Sequence, residues 1–139
     1  MALQPGRTTD PVLLRWADFG GAEPGAAFVA ADLVRGGERL GRAIVHPPSI
    51  AGVALVRPAL EVSTREAEGA AAVELAAKGG APALAVWLEA EGLPGRFDDN
   101  FFDLLPGERR SVRFLADGRV APKTLAARLR VRTLADARP

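Results

Sequence analysis

His46 is the only histidine in the chain, and cysteine is absent. Those two facts remove most nucleophilic chemistry: there is no thiolate attack, no disulfide and no cysteine-bound zinc. A Ser-His-Asp relay would have to run through His46. That residue stands in His-Pro-Pro-Ser, where the prolines impose an extended, surface-biased backbone, so a solvated or capping side chain is expected. Acidic and amide groups gather at Asp98, Asp99, Asn100, Asp103 and Glu108. A calcium loop of the EF-hand type needs glycine at its sixth position, and counting from Asp98 that position is Asp103. Turn formation and capping are the ordinary work of such residues and are expected here. Glu89 and Glu91 would share one strand face, a placement suited to a solvated edge rather than to flanking a substrate.

Arg128, Arg130 and Arg132 alternate in a positive stripe, with Arg109, Arg110, Arg113 and Arg119 upstream. Single-strand nucleic-acid binders interleave such charge with stacking aromatics, and none lies between Arg119 and the C-terminus. Net charge is +1, so no overall field favours nucleic acid or an anionic membrane. Trp16, Trp87, Phe97, Phe101 and Phe102 could form a sugar-stacking platform, although packing in a core or between domains is the commoner fate of aromatics. Trp87 alternates away from Leu84, Val86 and Leu88, which predicts partial exposure.

These side chains need a scaffold, and 139 residues allow one domain, or one and part of another, but not a (β/α)8 barrel of about 250. No apolar run approaches the ~18 residues of a membrane span, and the N-terminus lacks a secretory pattern, so a soluble, cytoplasmic chain is expected. Two-residue breakers recur at Gly20-Gly21, Gly36-Gly37, Pro47-Pro48, Gly79-Gly80, Pro94-Gly95, Pro106-Gly107 and Asp117-Gly118. Short segments between frequent turns point to an all-β sandwich or barrel. Strands are expected at residues 12–19, 27–34, 38–46, 53–57 and 83–91, and around Leu60, Val62, Val112 and Phe114. Gly36-Gly37 and Asp117-Gly118 are read as hairpin turns. Residues 124–133 alternate Leu125, Ala127, Leu129 and Val131 against the arginines, as in a half-buried strand. Residues 66–78 are alanine-rich and favour a helix by propensity, while Ala71, Val73, Leu75 and Ala77 alternate as a strand would.

The most distinctive run is Phe97-Asp98-Asp99-Asn100-Phe101-Phe102-Asp103-Leu104-Leu105-Pro106-Gly107-Glu108. Asx residues start turns, while Pro106 and Gly107 suit the two central positions of a second turn. Two adjacent phenylalanines in extended chain would point to opposite faces, one into the core and one out of it.

This run resembles the C-terminal immunoglobulin-like domain of β-mannosidases of glycoside hydrolase family 2, with Asp98 where the family carries serine. The residues that match the family motif are Phe97, Asp99, Asn100, Phe101, Phe102, Leu104, Leu105, Pro106, Gly107 and Glu108. The likeness extends through Val86-Trp87-Leu88 before the motif and through residues 110–114 and 129–136 after it. Residues 28–33, 37–42 and 46–58 resemble the end of a preceding immunoglobulin-like domain and its junction. The resemblance implies an immunoglobulin-like β-sandwich at residues 58–139, preceded by strands at 1–57 from a partial domain. It turns residues 66–78 from helix to strand. Such enzymes use two glutamates in a barrel, and no residue here matches either, so no catalytic position, cofactor or metal is implied. The implied role is a structural accessory domain that packs on other parts of a parent glycosidase or on a second copy of the chain. A stand-alone carbohydrate-binding module is the alternative. The front strands would leave Val12, Leu14, Trp16, Leu40 and Ile44 uncovered without such a partner.

Overall fold

The computed structural model describes residues 28–45 and 55–137. The chain divides into two compact units, Met1–Ala54 and Leu55–Pro139. His46 and the expected strand at 12–19 lie outside the described residues, as do residues 53 and 54 of the expected strand at 53–57; residues 55–57 are described and are irregular, not strand.

In the first unit, β1 (Val29–Arg35) and β2 (Glu38–Val45) form an antiparallel hairpin. Gly36 and Gly37 both hold positive φ, +59° and +85°, the backbone a two-residue turn needs to match strand twist. Asp32 sits opposite Arg42 in register, and their side chains form an ion pair.

The second unit is an antiparallel sandwich. One sheet runs β3-β4-β8-β6, from β3 (Ala59–Ala67), β4 (Ala70–Lys78), β8 (Arg109–Leu115) and β6 (Arg96–Phe97). The other runs β7-β5-β9, from β7 (Phe102–Leu104), β5 (Ala83–Ala90) and β9 (Leu129–Arg132). Between the sheets lie Ala71, Val73, Leu75 and Ala77 of β4, Ala83, Val86 and Leu88 of β5, Phe102 and Leu104 of β7, and Val112 and Phe114 of β8. Burial of this kind is worth about 25 cal/mol per Å² of apolar surface and is the main force closing the two layers.

Residues 70–78 are strand despite their alanine content. β4 is flanked by β3 and β8 along its length, and Ala72 and Ala76 on its outer face are buried as well as the inward residues. From Ala71 to Ala77, apart from the half-buried Glu74, the strand is covered on both faces, so apolar residues on its outer side accompany the inward alternation of Ala71, Val73, Leu75 and Ala77. Helix preference of a few tenths of a kcal/mol per residue does not compete with that burial. The expected span 66–78 is interrupted, however: β3 continues to Ala67, and Glu68 and Gly69 turn the chain with φ of +49° and +79°.

Three other expectations are corrected. Asp117-Gly118 does not close a hairpin; the chain instead enters a helix, α1 (Pro122–Arg128), leaving only Leu129–Arg132 of the expected 124–133 strand as β9. Pro122 occupies the first helical turn, where its missing N–H costs nothing and its fixed φ is already helical. Lys-Thr-Leu-Ala-Ala-Arg follows, and Leu125 is fully buried while Ala127 is exposed, so one helical contact replaces the expected strand face. The Thr64 hydroxyl donates to the Pro122 carbonyl at 3.0 Å and fixes the helix start to β3. The alternation of Leu84, Val86 and Leu88 is likewise broken. Ala85 holds φ +47° and shifts the register between Ala83 and Val86, so Ala83 rather than Leu84 joins the central cluster with Val86 and Leu88.

Candidate functional site: an aromatic surface beside a wired loop

Residues 97–108 run from one sheet to the other, and their polar groups are spent on backbone. Asp98 extends the β6–β8 ladder: its N–H donates to the Arg113 carbonyl at 3.0 Å, while its Oδ1 accepts the Arg113 N–H at 2.9 Å and its Oδ2 accepts Arg113 Nε at 2.8 Å. Asp99 accepts the Asn100 N–H at 2.8 Å through Oδ1 and pairs through Oδ2 with Arg110. Asn100 acts as a strand in miniature. Its Oδ1 accepts the Leu88 N–H at 2.7 Å and its Nδ2 donates to the Leu88 carbonyl at 2.9 Å, so one carboxamide satisfies both peptide groups of a β5 residue.

The same pattern continues into β7. Asp103 Oδ1 accepts the Ala85 N–H at 2.7 Å, giving a partner to the donor displaced by the bulge. At the second turn, Gly107 holds φ +83° after Pro106, as a type II turn requires. Glu108 N–H donates to the Leu105 carbonyl at 3.0 Å, and Glu108 Oε2 accepts the Leu105 N–H at 2.9 Å. That turn then docks on β4, with Gly107 N–H to the Ala77 carbonyl at 3.0 Å and Ala77 N–H to the Glu108 carbonyl at 2.9 Å. Asp98, Asp99, Asn100, Asp103 and Glu108 thus each accept a backbone N–H, which is the turn and capping work their types suggested.

Electrostatics follow that geometry. Desolvation opposes the charged form of Asp98, but the hydrogen bonds and charge of Arg113 outweigh it and hold the carboxyl below its ordinary range. The backbone N–H and the hydroxyl of Thr133, at 2.8 and 2.9 Å, do the same for Asp136 in the closing 3-10 turn Leu134–Ala137. Glu91 is lowered chiefly by its hydrogen bond from Arg130, at 2.8 Å. Glu91 therefore faces an arginine across the sheet rather than Glu89 across a substrate.

The aromatics divide cleanly. Phe102 is buried, with the Arg110 guanidinium 4.5 Å above its ring, and Phe97 packs against Phe114 with centroids 5.1 Å apart. Leu104 is buried in the core and Leu105 is half-buried at the turn. Phe101 is 68% exposed. Its outward course has a different cause from simple strand alternation: Phe101 holds φ +59°, and its N–H donates to the Val86 carbonyl at 2.8 Å. The ring lies nearly parallel to Trp87, 16° apart with centroids at 5.9 Å, and the Arg132 guanidinium sits 5.3 Å from the Trp87 centroid. Trp87 and Arg132 are register partners on β5 and β9. A row of phenylalanine, tryptophan and arginine therefore crosses the outer face of the β7-β5-β9 sheet. The sequence marked Trp87 as partly exposed, but the stack depends on the backbone turn at Phe101, which alternation alone does not signal.

The arginine stripe is also resolved into separate roles. Arg128 ends α1, where a cation suits the carboxyl end of a helix; Arg130 pairs with Glu91; Arg132 lies on Trp87. Arg113 is shared by Asp98 and Glu68, and Arg119 pairs with Glu66. No helix among the described residues is long and apolar enough to cross a membrane.

The fold and the loop together define an immunoglobulin-like sandwich whose two sheets are tied by a side-chain-to-backbone network. Residues 55–137 match the family model of the mannosidase Ig-fold domain, and the chain belongs to that family. No curated protein matches the chain.

Two outcomes are expected from this wiring. Asn100→Ala strips partners from both peptide groups of Leu88; at about 1–3 kcal/mol per unsatisfied group, the second unit should lose about 2–4 kcal/mol in urea unfolding. Asn100→Asp keeps the acceptor but loses the donor, and should fall between the two. Acid should weaken the same framework: because Asp98 and Asp136 are lowered in the folded state, their contribution is complete above the ordinary aspartate value near 3.9 and disappears as pH falls below it. Thermal unfolding followed from neutral pH to about pH 2.5 should show the midpoint dropping mainly below about pH 4. Asp98→Asn should flatten that drop.

Proposed function

We propose that the chain acts as a non-catalytic accessory domain of a β-mannosidase-like glycoside hydrolase of family 2, the parent enzyme removing terminal β-mannosides. The observation that carries this reading is the destination of the acidic residues in the family motif. Asp98, Asp99, Asp103 and Glu108 accept backbone N–H groups, Asp98 and Asp99 also pair with arginines, and all four are thereby committed to holding the sandwich closed and not to the acid and nucleophile roles of a retaining glycosidase. Membership in the mannosidase Ig-fold family supports the parent activity. The domain's contribution is rigidity and a packing surface for the parent's other domains.

The purified chain should not turn over an aryl β-mannoside, and the reading frame or gene adjoining its coding sequence should encode a (β/α)8 barrel bearing the two glutamates. Turnover that disappears in Glu89→Gln or Glu91→Gln would contradict the proposal.

A further inference from the structure

We propose that the outer face of the β7-β5-β9 sheet, centred on Phe101, pairs with the same face of a second copy of this chain. This goes beyond the accessory role above and does not depend on it. The first observation is conformational. Phe101 holds φ +59° with its ring 68% exposed. Asparagine or glycine takes that backbone at lower cost, and an outward ring adds little to the core of its own unit. A bulky aromatic kept in a disfavoured conformation points to work outside the unit.

The second observation is preorganisation. Phe101, from the bend just before β7, and Arg132, from β9, approach Trp87 from opposite sides of β5, at 5.9 and 5.3 Å, so the row is already ordered before any partner arrives. Aromatic rings and arginine are the side chains concentrated at the energetic centres of protein interfaces.

The third observation, charge, selects the occupant. In register, Arg132 lies opposite Trp87 and Glu89 lies opposite Arg130 on the same face. Arg130 is paired with Glu91 and also feels the charge of Glu89, and Arg132 feels Glu91 and Asp136, but neither Glu89 nor Arg132 forms a direct ion pair among the described residues, so both remain able to take one from outside. A two-fold axis through the face sets Arg132 of one protomer against Glu89 of its partner, twice, with the Phe101 rings packed between them. That arrangement is the self-complementarity an isologous dimer needs. A sugar platform is less well matched. Rings 5.9 Å apart and nearly parallel are stacked on one another and do not form one broad plane.

Sedimentation velocity of the full chain across a concentration series tests this directly. The wild-type chain should show a reversible monomer–dimer equilibrium. Phe101→Asn suits the backbone, should stay folded by thermal unfolding, and should weaken dimerisation by at least about tenfold. Arg132→Glu and Glu89→Arg should each weaken it by about tenfold, and the double reversal should restore it to within about threefold of wild type. The charge pair keeps the test valid if Phe101→Asn does not fold. A strict monomer at every concentration, a dimer indifferent to the charge reversals, or a double reversal that fails to recover would overturn the proposal. So would a monomeric wild-type chain whose Trp87 indole resonance shifts on titration with manno-oligosaccharides, which would assign the face to sugar.

Discussion

Leu88 presents both of its peptide groups to a position where β7 no longer runs, and the rest of the sandwich depends on how they are satisfied. An unpaired, partly buried N–H and C=O on the central strand of a three-stranded sheet would together cost several kcal/mol, a large share of the 5–15 kcal/mol by which a domain is stable. Asn100 supplies a donor and an acceptor from one carboxamide at 2.9 and 2.7 Å. Neighbouring residues repeat the device: Asp103 reaches the bulged Ala85, Asp98 reaches Arg113, and Glu108 closes its own turn. Since β5 belongs to one sheet and β8 to the other, a single loop holds both layers in register.

The same contacts orient the loop's acids: Asp98, bonded to the Arg113 N–H and guanidinium, is held ionised and fixed in place as part of the frame. The surface ion pairs around it, such as Asp99 with Arg110 and Glu91 with Arg130, add orientation more than stability. What the loop offers outward is Phe101. Its position follows from the same wiring: Asn100 anchors to Leu88, the Phe101 N–H anchors to Val86, and Phe102 turns into the core, leaving the intervening ring outside.

Much of this was legible in the residues. The turn at Pro106-Gly107, the inward Val112 and Phe114 and the hairpin at Gly36-Gly37 follow from local chemistry and alternation. At 70–78 the alternation of Ala71, Val73, Leu75 and Ala77 competes with an alanine content that favours helix, and the likeness to a family decides between them. α1 carries a start signal, Pro122 followed by good helix formers, but the arginine alternation from 128 to 132 runs on from it and extends the pattern of a strand across the join. The bulge at Ala85 left no sequence mark, since alanine at positive φ is a tertiary outcome secured by Asp103 from eighteen residues away. The residue types of the motif's acids indicate turn and cap formers, but which N–H each takes depends on sheet order and is not contained in local spacing.

Native-state hydrogen exchange at four amides measures the central claim. The N–H groups of Leu88, Ala85, Leu105 and Arg113 each donate to a side chain of the 98–108 segment, namely Asn100, Asp103, Glu108 and Asp98. If those side chains stand in for a strand, the Leu88 and Ala85 amides should exchange only with the opening of the sandwich, as slowly as the ladder amides of β4, and the Leu88 amide should lose that protection in Asn100→Ala while the β4 core opens at its own global rate. Fast exchange of Leu88 and Ala85 in the wild-type chain, at the rate of exposed loop amides, would show that the loop merely rests on the sandwich and does not hold it together.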